Sequence, residues 1–168
     1  MAGLEAEIAR VIREYQARTG KLLTVGTIES ATGGRIADRM TDVPGSSDYF
    51  KGSVVAYSNE VKVVVVGVKE ATIESYGAVS KQIAVEMAQG GRKLLNVDIC
   101  ISDTGIAGPS GGSADKAVGL FYLGLAAGDE SFSQKYVFSG TRQENKRDAA
   151  EAALAMLREF LLRCIEAR

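Results

Sequence analysis

The chain has 168 residues, of which 46% are hydrophobic and 24% charged, and its formal net charge at pH 7 is -1. These values are typical of one soluble domain with a sizeable core. The balanced charge argues against a nucleic-acid partner or a membrane-surface partner. No apolar run is long enough to span a bilayer, and the amino-terminal residues do not form a signal-peptide pattern, so we expect a cytoplasmic protein.

The sequence contains no histidine and two cysteines. The absence of histidine removes the commonest general base and every Ser-His-Asp arrangement. Cys100 and Cys164 lie in segments predicted as a strand and a helix, where we expect small buried side chains. We expect neither a cofactor nor a soft-metal site, although carboxylates alone could hold magnesium.

Helices alternate with strands in the first two thirds of the predicted structure. Residues 3–18 carry an apolar stripe at helical spacing, and residues 22–28 form a β-branched run typical of a strand. The valines at 63–66 suit a strand, but their short distance to Gly67 favours a helix. The other predictions are a strand over 52–58, helices over 69–76 and 81–95, with Ser80 as a cap, and a buried strand over 97–102.

The last third of the sequence predicts a β-hairpin followed by one long helix. Strands over 118–126 and 132–138 are joined by the turn-forming pair Gly128–Asp129. Thr141 and Glu144 form a capping box that opens the final helix. Residues 1–168 are therefore predicted to form a single three-layer α/β/α domain. Its sheet is mixed and largely parallel, with a C-terminal antiparallel hairpin and a long C-terminal helix.

The stretch from Gly45 to Lys62 concentrates side chains that could perform chemistry. In a chain without histidine, a serine nucleophile must lose its proton to a lysine, a tyrosine or a carboxylate. Lys62, with Tyr57 nearby, is the candidate base, provided that burial or a neighbouring cation lowers its pKa. The alternative is an ordinary turn followed by a helix, capped by Asn59, with a lysine on its surface.

Two glycine-bearing turns are candidate ligand sites. The turn at 32–34 joins a strand to a helix N-terminus, which favours phosphate or carboxylate, although such a turn also serves packing alone. The loop at 104–112 follows a buried strand, where open α/β sheets bind ligands, unless it is a flexible surface loop. Arg142 and Arg147 oppose the dipole of the last helix, a conflict expected of residues that serve a ligand.

These segments resemble the CinA C-terminal domain family. The resemblance runs from about Thr24 to the end, in the blocks ESATGG (29–34), DVPGSSDYF (42–50), VVAYSNEVK (54–62), YGAVS (76–80), TGIAGPSGG (104–112), KAVG (116–119) and FSGTRQENKR (138–147). Members are nicotinamide-nucleotide amidases, which hydrolyse nicotinamide mononucleotide to nicotinic acid mononucleotide and ammonia. The resemblance therefore implies a stand-alone deamidase domain, without the additional N-terminal domain of longer members.

The resemblance also implies roles for individual residues. Ser47 would be the nucleophile, Lys62 its base and Tyr57 an orienting group or proton shuttle. Ser30 is the alternative nucleophile. Backbone N–H groups near Ser46 and Ser47 would stabilise the oxyanion. The implied substrate-binding residues are Thr32, Gly33, Gly34, Ser46, Asn59, Thr104, Gly105, Ala107, Gly108 and Arg142, with Arg147 as an alternative phosphate contact.

The effect of one departure from the family pattern is not determined by the sequence, and three functions are compatible with it. Asp103 stands where the family mostly has valine or serine, and a carboxylate there could repel a phosphate or tune a neighbouring cation. The leading function is the amidase; the others are a non-catalytic nucleotide-binding module linked to competence or DNA damage, and an amidase for another amidated nucleotide. We expect a small-molecule nucleotide substrate and a homodimer or higher homo-oligomer.

Overall fold

A five-stranded mixed sheet with helices on both faces forms the centre of the computed structural model, which describes residues 3–167. The elements in chain order are α1 (Leu4–Thr19), β1 (Val25–Glu29), α2 (Arg35–Thr41), a 3₁₀ turn (Ser46–Asp48), β2 (Phe50–Val55), α3 (Asn59–Val61) with its π-helical continuation (Lys62–Val66), α4 (Glu70–Tyr76), α5 (Lys81–Leu95), β3 (Ile99–Gly105), β4 (Leu120–Ala127), β5 (Glu130–Val137) and α6 (Arg142–Glu166).

The strand order is β2-β1-β3-β4-β5. Strand β1 runs parallel to both β2 and β3, whereas β3, β4 and β5 form an antiparallel series. Because β1, β2 and β3 are parallel, they all end at one edge of the sheet, which we call the carboxyl edge. This arrangement confirms the predicted mixed sheet and hairpin.

The two faces of the sheet are covered by different helices. Alternate strand residues, such as Val25 and Ile101, pack against α1, α2 and α6, and their neighbours, such as Ile28, pack against α5. Strand side chains alternate between the two faces of the sheet, so each buried strand contributes apolar side chains to the hydrophobic core on either face. The three predicted layers are therefore confirmed. Cys100 is fully buried against α5, as the sequence predicted.

Element boundaries differ from prediction where they bear on function. Strand β3 continues to Gly105 rather than ending at 102, which makes Asp103 and Thr104 strand residues. Residues 63–66 are helical, as predicted, within the π-helical segment. The predicted cap at Asn59 is wrong, because the Ser58 side chain accepts the N–H of Val61 at 3.1 Å. Within residues 3–167, no helix combines the length and apolarity needed to cross a membrane.

Candidate active site

A cavity of about 320 Å³ opens at the carboxyl edge of the sheet. Its walls come from the turn after β1, the start of α3, the loop before α5, the loop after β3 and the first residue of α6. The predicted site residues that line it are Ser30, Tyr57, Asn59, Lys62, Thr104, Gly105, Ala107, Gly108 and Arg142. The structure thus brings together residues that lie more than a hundred positions apart in sequence.

Lys62 is buried at the base of this cavity, with only 2% of its surface exposed. Its Nζ donates to the backbone carbonyls of Ala56 at 2.9 Å and Tyr57 at 3.1 Å, and lies 3.0 Å from Ser30 Oγ. Burial lowers the pKa of Lys62 because it penalises the charged form, while the negative charge of Asp103 opposes that shift. The surroundings therefore favour a neutral amine more than water does.

The three contacts of Lys62 fix the direction of its lone pair. A neutral amine has two N–H donors and one acceptor lone pair. The two carbonyls can only accept, so they take both donors and leave the lone pair for the Ser30 hydroxyl. In this state Ser30 Oγ–H donates to Lys62 Nζ, which is the geometry that a general base requires.

Ser30 is held by the turn that follows β1. Its backbone N–H donates to Asp103 Oδ1 at 2.9 Å, and its carbonyl accepts the N–H of Gly33 at 3.1 Å. The Thr32 N–H donates to the other oxygen of Asp103 at 3.1 Å. Asp103 is fully buried and does not line the cavity. It therefore lies beneath the turn rather than beside a ligand, contrary to the expectation that it could repel a phosphate.

The structure does not form the predicted contact between Ser47 and Lys62. Ser47 is exposed on the 3₁₀ turn that precedes β2, whereas Lys62 follows the end of β2. The six residues of β2 separate the two by on the order of 20 Å, at about 3.3 Å per strand residue. The predicted Ser47–Lys62 pair is wrong on this geometry. The same separation removes Ser46 and its N–H from the cavity, so the predicted oxyanion contacts there are also wrong.

The backbone N–H groups after the glycine turn at 32–34 are bound by a side chain of the protein, not left free for a ligand. The carboxylate of Glu29, fully buried, accepts the N–H groups of Gly34 at 3.1 Å, Ile36 at 3.0 Å and Ala37 at 2.9 Å. Thr32 Oγ1 lies 2.6 Å from the same carboxylate. An acidic side chain therefore fills the anion site at the start of α2, and the predicted substrate contacts of Thr32, Gly33 and Gly34 are not available there.

Tyr57 lies at the mouth of the cavity, and 63% of its surface is exposed. Its hydroxyl accepts from Arg142 Nη2 at 3.2 Å, and only its backbone carbonyl contacts Lys62. Arg142 Nη1 donates to the Gly108 carbonyl at 2.8 Å, which ties α6 to the loop after β3. Arg147 instead pairs with Asp148 at 3.3 Å, outside the cavity lining. Of the two predicted phosphate contacts, only Arg142 faces the cavity.

A group of three cations stands beside Tyr57. Arg35 donates to Gln143 Oε1, Arg142 contacts Tyr57, and Lys146 has its pKa lowered by burial and by the charges of Arg35 and Arg142. Within residues 3–167, no carboxylate forms an ion pair with any of the three. Uncompensated like charges at short range favour binding of an anion.

Several residues of the site were given no role at the sequence level. Ala78 and Val79 line the cavity, and the Ala78 carbonyl accepts from Thr104 Oγ1 at 2.7 Å. Both lie in the block at 76–80 that carried the family resemblance. Glu29 opens the block at 29–34, and its side chain organises the turn. Lys146 follows Arg142 by four positions, one helical turn, a spacing that could have indicated it.

Fold and site together define a three-layer α/β protein in which a serine and a buried lysine are in contact at the carboxyl edge of the sheet. The chain belongs to the CinA C-terminal domain family, whose model matches residues 5–161. It is 51% identical over 139 residues to a CinA-like protein of Endomicrobium trichonymphae, and 47% identical over 140 residues to a putative competence-damage inducible protein of Thermoanaerobacter sp. (strain X514). These matches cover 83% of this chain but only 32% and 34% of those proteins, so the chain spans about a third of their length.

Solved structures have the same fold. The crystal structure of the competence/damage inducible protein CihA from Agrobacterium tumefaciens superposes with a TM-score of 0.84 at 34% identity, covering 94% of each chain. A competence or damage-inducible protein from Enterobacter asburiae gives a TM-score of 0.86 at 28% identity, covering 96% of this chain and 99% of that one. The predicted fold class and family are thereby confirmed.

Proposed function

We propose that this chain is an amidohydrolase that converts nicotinamide mononucleotide to nicotinic acid mononucleotide and ammonia, with Ser30 as nucleophile and Lys62 as base. The observation that carries the proposal is the 3.0 Å contact between Lys62 Nζ and Ser30 Oγ, with the amine oriented by two carbonyls. A module that only binds a nucleotide has no need to bury a lysine against a serine, because burial of the amine costs free energy.

The reaction runs in two halves. Ser30 Oγ attacks the carboxamide carbon of the substrate while its proton passes to the Lys62 amine. The C–N bond then breaks, and the resulting Lys62 ammonium returns the proton to the leaving nitrogen, which departs as ammonia and leaves an ester on Ser30. Water attacks that ester, gives its proton to Lys62, and Ser30 recovers the proton as the acid is released.

A backbone N–H beside the nucleophile is available for the oxyanion. Ala31 lines the cavity, and its N–H forms no hydrogen bond within the described part of the chain. In hydrolases that place the nucleophile on a strand-to-helix turn, the residue after the nucleophile commonly supplies this donor. The Ala31 N–H therefore replaces the donors first expected near Ser46 and Ser47, and such donors contribute strongly to catalysis.

The phosphate of the substrate is assigned to the cationic side of the cavity mouth. Arg142 lines the cavity, and Arg35 and Lys146 add positive charge behind it. Charge-assisted hydrogen bonds to phosphate are stronger than neutral ones, and a guanidinium can make two at once. This end selects a phosphorylated substrate, and the Ser30 end acts on its amide.

The test is equimolar formation of ammonia and nicotinic acid mononucleotide by the purified protein in the presence of EDTA, with Ser30→Ala as the control for a contaminating amidase. Activity on nicotinamide mononucleotide in the wild type alone supports the proposal. A panel of other amidated nucleotides tests substrate choice in the same assay. No ammonia from nicotinamide mononucleotide, with the nucleotide recovered unchanged, would overturn the assignment and leave a binding module.

A further inference from the structure

The two buried carboxyl groups beneath Ser30 take no part in the reaction just described. Asp103 projects from β3 and Glu29 ends β1, and both are fully buried. The Thr32 hydroxyl lies between them, 2.6 Å from Glu29 Oε1 and 2.5 Å from Asp103 Oδ1. The chain of groups Asp103–Thr32–Glu29 therefore connects β3, the Ser30 turn and β1 in the interior.

The number of protons in this chain of groups can be counted. A hydroxyl carries one proton, so Thr32 can donate to one carboxyl group only. If both carboxyl groups were ionised, the second contact would place two oxygens at hydrogen-bond distance with no proton between them. A proton on Asp103 would supply the donor that the second contact lacks.

The surroundings of Asp103 determine the pH range in which it can hold that proton. Glu29 accepts three backbone N–H groups at the start of α2. Asp103 accepts two backbone N–H groups, from Ser30 and Thr32. Burial raises the pKa of Asp103 to about 6, and the charge of Glu29 acts in the same direction. At a pH below about 6 Asp103 holds a proton and can donate it to Thr32, whereas above that pH Asp103 carries the negative charge that opposes the pKa shift of Lys62.

We propose that Asp103 is a positioning residue for the nucleophile: it accepts the backbone N–H groups of Ser30 and Thr32, is linked through the Thr32 hydroxyl to Glu29, and so fixes the turn that presents the Ser30 hydroxyl to Lys62. The inference rests on the proposed function, since it assigns Asp103 to the Ser30–Lys62 pair. It extends that function to a residue that the reaction steps above do not use.

The charge of Asp103 also faces the base. Three charged groups act on or respond to Asp103 across the packed elements: Glu29 on β1, Lys62 on the π-helical segment and Lys146 on α6. When Asp103 ionises, its negative charge stabilises the Lys62 ammonium and so opposes formation of the neutral base. Removal of that charge should make Lys62 easier to deprotonate.

Two substitutions at Asp103 and one control test this role. Asp103→Ala removes both acceptors of the Ser30 turn, and Asp103→Asn keeps the size but can never be charged. The control is Asp98→Asn, immediately before the start of β3. Asp98 also accepts a backbone N–H and a threonine hydroxyl, both from Thr24, but it lies outside the site cavity.

Asp103→Ala should lower kcat about 100-fold with KM changed less than about twofold, because the turn holds the nucleophile and not the substrate. Asp103→Asn should lower kcat about tenfold and move the acidic limb of the kcat/KM profile to lower pH. Asp98→Asn should lower the melting temperature but leave kcat and the profile unchanged. A loss confined to stability in the Asp103 variants, with kcat and the profile unchanged, would overturn the inference.

A second readout does not depend on turnover. The ¹³Cε resonance of Lys62, assigned by its loss in Lys62→Met, reports the titration of this lysine directly. Its midpoint should move to lower pH in Asp103→Asn and stay in place in Asp98→Asn. If the wild type proves inactive but this shift is seen, the proposed function fails and the link between Asp103 and Lys62 stands. If the wild type is active and neither kcat nor the Lys62 midpoint changes in the Asp103 variants, the proposed function stands and the role of Asp103 fails.

Discussion

Two turns of this molecule carry the two candidate nucleophilic serines, and only the turn with Ser30 lines the cavity that holds Lys62. The turn after β1 presents Ser30, which is buried and lies 3.0 Å from Lys62 Nζ. The 3₁₀ turn before β2 presents Ser47, which is exposed, next to the surface ion pair between Arg13 and Asp48 at 3.3 Å. Both serines lie in polar stretches that break the chain between regular elements.

The difference follows from strand direction. Strands β1 and β2 are parallel, so a residue after β1 and a residue before β2 lie at opposite edges of the sheet. Lys62 comes after β2 and therefore meets the residue that comes after β1. Closeness in sequence favoured Ser47, fifteen positions from Lys62, whereas topology selects Ser30, thirty-two positions away.

Loss of the nucleophile should give the largest effect that separates the two turns. Ser30→Ala removes the attacking hydroxyl, so ammonia release from nicotinamide mononucleotide should fall at least about 10⁴-fold. Ser47→Ala is the matched control and should retain activity within about twofold. Initial rates for the two variants, with folding checked by circular dichroism, make the comparison. Equal rates for the two variants would contradict Ser30 as the nucleophile, and loss of activity only in Ser47→Ala would assign that role to Ser47.

Replacement of the base should have the next largest effect. Lys62→Met keeps the length of the side chain and removes the amine, so kcat should fall about 10³-fold, within the usual range for a general base. Lys51 lies on β2 near the opposite edge and donates to the Asp48 carbonyl at 2.9 Å, so Lys51→Met is the control and should leave kcat unchanged. The two variants share the change in chemistry and differ in position. A Lys62→Met enzyme with kcat close to wild type would contradict the proposed base.

Arg142 and Arg147 offer the same contrast on α6. Arg142→Gln should lower kcat/KM for nicotinamide mononucleotide about 10- to 100-fold, since a charge-assisted hydrogen bond contributes about 1.5–3 kcal/mol. Arg147→Gln should change kcat/KM less than about twofold, because Arg147 pairs with Asp148 outside the cavity. Nicotinamide riboside lacks the phosphate and should not distinguish the Arg142 variant from the wild type. If Arg142→Gln lowered kcat/KM equally for nicotinamide mononucleotide and nicotinamide riboside, Arg142 would not be the residue that binds the phosphate.

Asp103, near the end of β3, and Asp98, immediately before its start, should show opposite pH dependence of stability. The pKa of Asp103 rises from 3.8 to about 6 in the folded state, so its favourable contribution is complete below pH 4 and is lost as the pH rises through 6. Asp103→Asn lacks this term, and its stability relative to the wild type should improve by about 2.5 kcal/mol between pH 4 and pH 7.

For Asp98, burial acts to raise the pKa, but hydrogen bonds from Lys21 and Thr24 hold it below its ordinary value. Its contribution is therefore present above the unfolded pKa and is lost as the pH falls through the folded value. Asp98→Asn should cost more stability at pH 7 than at pH 4. Urea unfolding across this range measures both variants, and parallel curves for the two would show that Asp103 is not held in its protonated form.

The fold could be predicted because its signals are local. Apolar spacing at 3–18, the β-branched run at 22–28 and the capping box of Thr141 and Glu144 each determine an element within a few residues. The order of elements then leads to a mixed sheet with few alternatives. The errors were at strand ends, such as β3, where the chain continues its hydrogen bonding past the last strongly apolar residue.

The site was predicted only in part because its contacts are not local. The sequence indicated Lys62 as a base through the absence of histidine, and it indicated the loop at 104–112 through its glycines. It could not show that Glu29 fills the turn at 32–34, since a glycine turn before a helix has the same pattern with or without an internal carboxylate. Nor could spacing show that Asp103 lies beneath Ser30, seventy-three positions away.

The central claim is that Lys62 is neutral when Ser30 loses its proton. The most direct test is the pH titration of the Lys62 ¹³Cε resonance in the wild type, measured together with kcat/KM for nicotinamide mononucleotide. Because burial lowers the pKa of Lys62, its midpoint should lie below that of an exposed lysine, and activity should rise with pH at the same midpoint. A Lys62 that titrates like a surface lysine, or a rate that stays flat across its titration, would contradict the account.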